Sequence, residues 1–432
     1  MVVKYDARLA RSVLPSIAKG LVKNLSVDIA AKFSHRTYPG VADTAFDPFD
    51  PVTAANPYPG YRELLAGPRV HFNRRRGIFI LSRHDDVRTA ARADALLSSR
   101  EGVVRSRVEA PILLHLDRPR HTELRRKVQP AFARGALHSW QPMVDRLARE
   151  LVTGLLERPG ADVVRSLAVP MPMRMIAYIL GVPPEDEKFF RRWSNEAIRV
   201  ANVQSTPRGL SQIAPTCYGV RQLHTYFQTQ LERGALLGEN TVMGRLVANT
   251  EDGEITADEM FFFVLLLLLA GNETTTNLLG AMFLVLSQHP DQFEQIRADP
   301  DGLLGSAIEE LLRYISPIQG FYRTALRDYH VGDAVIPADS RVALLWGAAN
   351  RDPRVYDNPD AFVAARNPTN HVAFGSGVHL CLGAGLARME GKAVLRELVE
   401  RVDRIDVVGA PEWTTNSSLR GLKRMEVSLH GR

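Results

Sequence analysis

Apolar and polar positions recur along this chain with two periods, and they divide it into long helical stretches and a few short strands. From Arg69, the segment RVHFNRRRGIFILSRHDDVRTAAR sets two short apolar runs about a basic, glycine-containing turn. That pattern predicts a hairpin whose second strand is Ile78–Leu81, followed by a helix from about His84. After Pro119, HTELRRKVQPAFARGALHSWQPMVDRLARELVTGLLE reads as charged helix, broken near Pro130 and resumed to about Glu157. From Pro170 to about Leu236 the pattern stays helical but is interrupted where Gly and Pro gather at 207–215, a break suited to a mobile lid.

Thr256 followed by Glu259 is a capping-box signature, and it opens a helix that runs to about Ser287, before His289-Pro290. This helix contains FFFVLLLLLAGNETTTNLLGAMFLVL, which is apolar on nearly every side and so belongs in the middle of a helical protein. The uncharged run Phe261–Gly271 is too short to cross hydrocarbon, and a span of the whole helix would place Glu273 near the midplane. Helix resumes from Leu303 to about Ile315, and the short extended pieces FYRTALRD, YHVGDAVIP and RVALLW follow. A coil around Asn367–Leu382, a helix from about Gly383 to Val402 and a strand pair near Trp413–Leu429 complete the chain. The expected class is mainly α, with the strands collected in a small β region.

The chain has 432 residues, 45% hydrophobic and 24% charged, enough for a large core and a buried cofactor. No Pro/Gly/Ser-rich linker divides it, so residues 41–432 are expected to form one body behind an N-terminal extension, 1–40. In that extension Leu14, Ile17, Leu21, Leu25 and Ile29 recur among Arg11, Lys19, Lys23 and Lys32. This spacing suits a helix docked on the body, or one lying weakly on an anionic membrane surface. Cys217 and Cys381 are the two cysteines, too few for a disulfide scaffold, and a reducing, cytoplasmic setting is expected. The net charge of +6 suits nucleic acid, a membrane surface or an acidic protein without choosing among them, yet no zinc-finger spacing, long basic run or aromatic-basic platform marks a nucleic-acid module.

FGSGVHLCLGAGLAR, Phe374–Arg388, is the densest chemical signal. Its glycines permit backbone conformations and close approach that side chains deny. Cys381 falls at the start of a helix, where free N–H groups stabilise a thiolate. These local features fit a haem or iron–sulfur ligand, a catalytic nucleophile, or simply a buried cysteine; zinc is poorly served, with only His379 nearby. Three other clusters carry similar ambiguity. Ala270-Gly271-Asn272-Glu273-Thr274-Thr275 places small residues, an acid and hydroxyls in an apolar helix, where Gly271 can serve packing and Thr274 can bond to a helical carbonyl. Glu310 and Arg313, and likewise His121 and Arg125, share helical faces, as ordinary surface pairs also do.

Phe374, Gly375, Gly377, His379, Cys381, Gly383, Leu386, Ala387 and Arg388 together resemble the haem-binding signature of the cytochrome P450 superfamily in its soluble bacterial form. The other clusters follow in the family's order, and the resemblance covers roughly residues 50–425. It implies the P450 fold, with haem b held by Cys381 as axial thiolate ligand. His121, Arg125, Arg323 and His379 are the implied propionate partners. It implies that Ala270 and Gly271 leave room for dioxygen, that Thr274 positions water and that Glu273 relays protons. Glu310, Arg313 and Arg366 become scaffold residues, while His371 is a core histidine rather than a ligand. The substrate wall would draw on Leu96–Ile112, Phe190–Tyr226 and Leu266–Thr274, on Ile318–Tyr322 with Ile318 and Phe321, and on the turn carrying Leu419.

The resemblance therefore implies a monooxygenase that uses O2 to hydroxylate a lipophilic molecule, of terpenoid, steroid, fatty-acid or macrolide-like type. No flavin- or nicotinamide-binding domain is expected within these residues. Electrons from NAD(P)H would arrive through a ferredoxin and its reductase, docking near Arg125, Arg126, Lys127 and Arg388 on what is expected to be a monomer. The same fold also supports desaturation, epoxidation and coupling. A non-catalytic haem sensor and a haem-free cysteine hydrolase are the readings from other classes.

Overall fold

The computed structural model describes residues 36–107, 109–198, 213–234, 236, 238, 241–248 and 257–432. Most of the extension at 1–40, Thr256 and most of the interruption at 207–215 lie outside these residues. The apolar stretch forms a single helix, Ala257–Gln288, of 32 residues. Because every face is apolar, every face needs a neighbour. The helices Pro170–Leu180, Pro300–Ile315 and Ala384–Arg401 and the C-terminal strands supply them. By length and composition Glu259–Gln288 is apolar enough to cross a membrane, but 61% of its most apolar window is buried inside the protein, which accounts for the composition. Glu259 pairs with Arg120 on the helix Arg120–Val128.

The hairpin forms where the pattern puts it: β2 (Val70–Asn73) runs antiparallel to β3 (Ile78–Leu81), and the helix His84–Arg92 follows. The break at Pro130 is a 3-10 turn, Gln129–Phe132, between Arg120–Val128 and Arg134–Leu156. Strands are spread over three sheets rather than gathered in one. β1 (Val41–Asp43), β2, β3, β4 (Leu97–Ser98), β6 (Phe321–Ala325) and β9 (Arg341–Leu344) make a six-stranded sheet in the order β1-β2-β3-β9-β6-β4. β7 (Tyr329–Val331) and β8 (Ala334–Ile336) form a separate hairpin. β10 (Val402–Trp413) pairs with β11 (Leu422–Gly431), which also binds β5 (Ala161–Asp162). β10 starts directly at the end of the last helix, well before the expected Trp413, because its exposed polar positions obscure the alternation.

Two proline-started helices, Pro290–Ala298 and Pro300–Ile315, stand where one helix from Leu303 is expected. Proline is tolerated in a first turn, and the Asp299 side chain accepts the N–H of Gly302 to cap the second helix. The main core runs through the helices and the C-terminal strands, from Leu113 to Leu429. A second core lies against the six-stranded sheet, and Ile318 and Phe321 pack on its edge.

Below the central helix, Arg313 and Glu310 are both fully buried. Arg313 Nε and Nη2 donate to the two Glu310 oxygens at 2.7 and 2.8 Å. The same guanidinium reaches the carbonyls of Asn350, Pro359 and Ala361, at 2.8, 2.8 and 3.0 Å. Glu310 also accepts from Arg366 Nε at 3.1 Å and from the N–H of Val363 at 3.0 Å. The helix thus grips the coil that leads to the cysteine loop, the scaffold role implied for Glu310, Arg313 and Arg366.

Arg313→Met, which leaves the buried Glu310 carboxylate with half its partners, is expected to lower unfolding free energy by about 3–5 kcal/mol in denaturant titration. A second expectation concerns Glu390 on the last helix. It is buried beside Thr275 of the central helix, and burial pushes its carboxyl up to about 8, against the hydrogen bond from Thr275. The unfolded chain releases this proton near the ordinary carboxyl range, whereas the folded chain holds it until about 8. Stability should therefore fall as pH rises through that window and level off above it. Melting temperatures of Glu390→Gln measured across the same window should show a shallower fall than those of the natural chain.

Candidate active site

The loop before the last helix is shaped by two glycines with left-handed backbone, Gly375 (φ +73°) and Gly377 (φ +76°). At Gly377 a Cβ would lie 2.8 Å from the Ala91 carbonyl oxygen, so neither turn nor approach admits a side chain. Phe374 accepts the N–H of Cys381 at 3.0 Å, closing the loop and aiming the cysteine. Gly383 caps the helix Ala384–Arg401, and a Cβ placed on it would meet nothing within 4 Å, leaving open space beside the sulfur.

Cys381 itself is exposed on that side. The protein around it nevertheless desolvates the thiol and pushes its pKa up, outweighing the Gly383 N–H and the charges of Arg125 and Arg388. Such a combination describes the wall of an internal cleft. The Gly383 N–H at the start of the helix, with Arg125 and Arg388, works in the direction of the thiolate, against the burial.

Next to the sulfur loop the fold assembles an unusual density of nitrogen donors. His121 and Arg125 sit on Arg120–Val128, Arg323 on β6, and His379 on the turn Gly377–His379. The His121 and His379 ring centroids are 4.4 Å apart. Both ring nitrogens of His121 are buried without a hydrogen-bond partner. Arg323 is 3% exposed, and among the described residues its one hydrogen bond goes to the Tyr322 carbonyl, at 2.9 Å. Arg125 Nη1 donates to the Val378 carbonyl at 3.1 Å. His379 Nε2 lies 3.1 Å from the Ser99 hydroxyl.

Burial, together with the neighbouring cations, lowers His121 to about 4 and His379 to about 2. Burial likewise brings Arg323 down to about 10, against the charge of Asp117. Sequence reading missed two further members, Ser99 and His115. The latter is pushed to about 4 by burial and by Arg341 and Arg323, and its Nδ1 has no partner. Nearby, Asp117 accepts from the Ser98 hydroxyl and, at 3.0 Å, from the N–H of Ser99.

A haem presents two carboxylates, a flat face and an iron that takes a sulfur ligand. The residues fit it. Partnerless buried nitrogens suit carboxylates, the open space at Gly383 suits a flat ring, and the free side of Cys381 suits a metal.

On the central helix, Ala270 is exposed in the middle of an otherwise buried element, which places it on a cleft as well. Gly271 points at Ile176: an added Cβ would lie 3.2 Å from that side chain, so its smallness here serves helix packing. The Thr274 hydroxyl donates to the Ala270 carbonyl at 2.7 Å, the helical back-bond weighed from sequence. Glu273 is half-buried, and burial raises its pKa. Asn272 is buried, with its Oδ1 unpaired.

Other expected residues take structural places. Arg388 is bound through Nε and Nη2 to Glu309 at 2.6 and 2.8 Å and lies over the Phe374 ring at 4.5 Å, so its charge is committed internally. His371 completes that cluster at 3.1 Å from Glu309. Burial would raise Glu309, but the bonds from Arg388 and His371 hold it at about 2. Arg126 is exposed. Leu266 is partly buried against the main core, while Ile318 and Leu419 form an isolated antiparallel bridge.

The Cytochrome P450 family profile matches residues 237–406. The beta-dihydromenaquinone-9 omega-hydroxylase of Mycobacterium tuberculosis is 50% identical over 425 residues, covering 98% of this chain and 86% of that protein. The 6-deoxyerythronolide B hydroxylase of Saccharopolyspora erythraea is 34% identical, over 73% of this chain and 77% of its own. A cytochrome P450 from Bacillus megaterium, crystallised in complex with testosterone, has a TM-score of 0.79 at 30% identity, covering 86% of this chain and 99% of that one. The chain belongs to the cytochrome P450 family and is a hydroxylating haem-thiolate monooxygenase.

Proposed function

We propose that Cys381 is the thiolate ligand, that His121, Arg125, Arg323 and His379, joined by Ser99 and His115, hold the two propionates, and that Thr274 and Glu273 handle protons on the opposite face. The observation that carries this reading is the pair of buried His121 nitrogens without a partner among the described residues, on a ring tilted against that of His379, two residues before the cysteine. Bound there, the haem supplies activation of O2 and insertion of one oxygen atom into a C–H bond, with electrons delivered by redox partners.

The chain's own contributions follow from its geometry. Gly375 and Gly377 hold the sulfur in one direction. Arg125 and the Gly383 N–H act on the sulfur by charge and hydrogen bond, and both favour its anionic form. The Thr274 proton is engaged by the Ala270 carbonyl, so its Oγ1 offers lone pairs to a water. With its pKa raised by burial, Glu273 holds a proton closer to neutral pH than an exposed glutamate does, which suits a carboxyl that passes protons inward from solvent.

The substrate is a lipophilic small molecule. We read it as a terpenoid chain hydroxylated near its end, supported by the 50% identity to a menaquinone omega-hydroxylase over 98% of the chain. Leu266, Ile318, Phe321 and Leu419 would line its path. The electron source is a ferredoxin with its reductase, meeting a basic face on which Arg126 is exposed while Arg388 is already paired. The working unit is one catalytic body, 41–432, acting as a cytoplasmic monomer, with any membrane contact made through 1–40.

Two substitutions test the assignment. Cys381→Ser should abolish the red-shifted Soret band of the reduced carbonyl complex; a protein that kept that band would have another ligand. Thr274→Ala should bind haem as before, while the share of reducing equivalents reaching product falls by about an order of magnitude or more and peroxide rises in its place. Product and peroxide per NAD(P)H oxidised are the quantities to compare, and an unchanged ratio would remove Thr274 from the proton route.

A further inference from the structure

Arg420 is a buried cation without an acid. It is 8% exposed, and no salt bridge to it is found among the described residues. Among the described residues its Nε has no hydrogen-bond partner, and its Nη2 reaches only the Ala55 carbonyl, at 3.3 Å. What surrounds the guanidinium is aromatic: its carbon lies 3.7 Å from the Trp413 ring centroid and 5.0 Å from that of Tyr58. Tyr58 in turn carries Arg351 at 4.4 Å, and Arg351 sits 4.0 Å from Tyr314. A desolvated guanidinium between rings is held by its planar shape and charge together. Lysine offers only one of these.

The backbone of the same residue belongs to the turn between β10 and β11. Its N–H donates to the Pro317 carbonyl at 2.9 Å, and Gln319 N–H donates to Ser418 at 2.7 Å. Between these bonds Leu419 faces Ile318 in the isolated bridge. Asn416 Oδ1 accepts the N–H groups of Ser418 and Leu419, at 2.9 and 3.0 Å. On the far side Gly421 touches the central helix so closely that a Cβ would overlap the Asn277 amide. The turn is therefore tied to the strand at 317–319 and pressed on the helix that bears Thr274. Arg420 ties it to Tyr58, on the helix Tyr58–Ala66.

We propose that Arg420, clamped between Trp413 and Tyr58, is a positioning residue that fixes Leu419 in the substrate wall and so sets how a long apolar chain lies in the cleft. It acts through Leu419 and touches no reacting atom. This inference rests on the reading that Leu419 lines the pocket.

The test uses haem-loaded full-length protein and two probes, imidazole and 1-dodecylimidazole, titrated by the shift of the Soret band. Imidazole reports the metal alone, whereas the dodecyl chain must also lie along the wall. Arg420→Lys and Trp413→Leu should leave imidazole affinity unchanged and weaken 1-dodecylimidazole about tenfold, the scale of one desolvated cation–π contact. A merely structural role would weaken both probes equally, and that result, or no change in either, would overturn the proposal. Leu419→Trp separates the two layers of the argument. If it leaves 1-dodecylimidazole affinity intact, Leu419 is not in the wall and the pocket reading falls with the inference. If it blocks that probe while the Arg420 and Trp413 variants bind normally, the pocket stands and the clamp alone is wrong.

Discussion

Arg313 and Glu310 have no exposed side-chain surface, and in such surroundings neither charge is tolerable without the other. Their mutual bonds use only part of the guanidinium. The remainder is spent on three carbonyls of the coil at 350–361, while Glu310 takes Arg366 and a backbone N–H from the same coil. A segment with little regular structure of its own acquires a fixed path because two buried charges need its polar groups. Asn350 passes the constraint on: its side chain donates to the Ser316 hydroxyl and accepts the N–H of Val372, two residues before Phe374. The path of the coil that leads to Cys381 is thus held in part from the helix Pro300–Ile315.

A second electrostatic problem is solved differently. Around His121 and His379 the protein's own cationic and imidazole groups outnumber its acids, and each lowers the others' affinity for protons. The acids nearby are already engaged, Asp94 by Arg118 at 3.1 Å and Asp117 by Ser98 and Ser99. Buried donors left unpaired are costly in any fold, so their concentration in one place marks a site whose partner carries negative charge. The scaffold pair balances itself; in the proposed site the donor wall would be balanced by the two carboxylates of the haem. Loss of haem should therefore disturb this wall while leaving the Arg313 network in place.

The division between what could and could not be read from sequence follows the range of the interactions. Local features were legible. The hairpin, the break at Pro130, the central helix and the turn at Gly375–Gly377 each depend on neighbours in the chain, and they appear where the pattern puts them. The ion pair Glu310–Arg313 is local too, but its purpose lies in the coil far along the chain, and only the family resemblance supplied it. Contacts between distant segments left no local trace. Ser99 meets His379, Glu309 captures Arg388 and His371, and β11 borrows β5 from the middle of the chain. Gly271 shows the limit from the other side. Composition alone allowed either packing or a cleft, and the contact with Ile176 shows what its missing side chain accommodates.

These arrangements separate two kinds of precision. On the cofactor side, direction is fixed by charge and by backbone conformations that few residues can adopt, so most substitutions there should remove function altogether. On the proposed substrate side, Leu266, Ile318, Phe321 and Leu419 are partly buried apolar groups, and the turn bearing Leu419 is held by two backbone bonds, a glycine contact and one guanidinium beside two rings. Apolar walls discriminate by shape, at only a few kcal/mol for each misplaced group. On that proposal, small changes in the clamp would move the wall without touching the sulfur or its donors. Relatives named as hydroxylases of beta-dihydromenaquinone-9 and of 6-deoxyerythronolide B are compatible with that separation, in which the cleft is retuned while the chemistry is held constant by charges buried elsewhere.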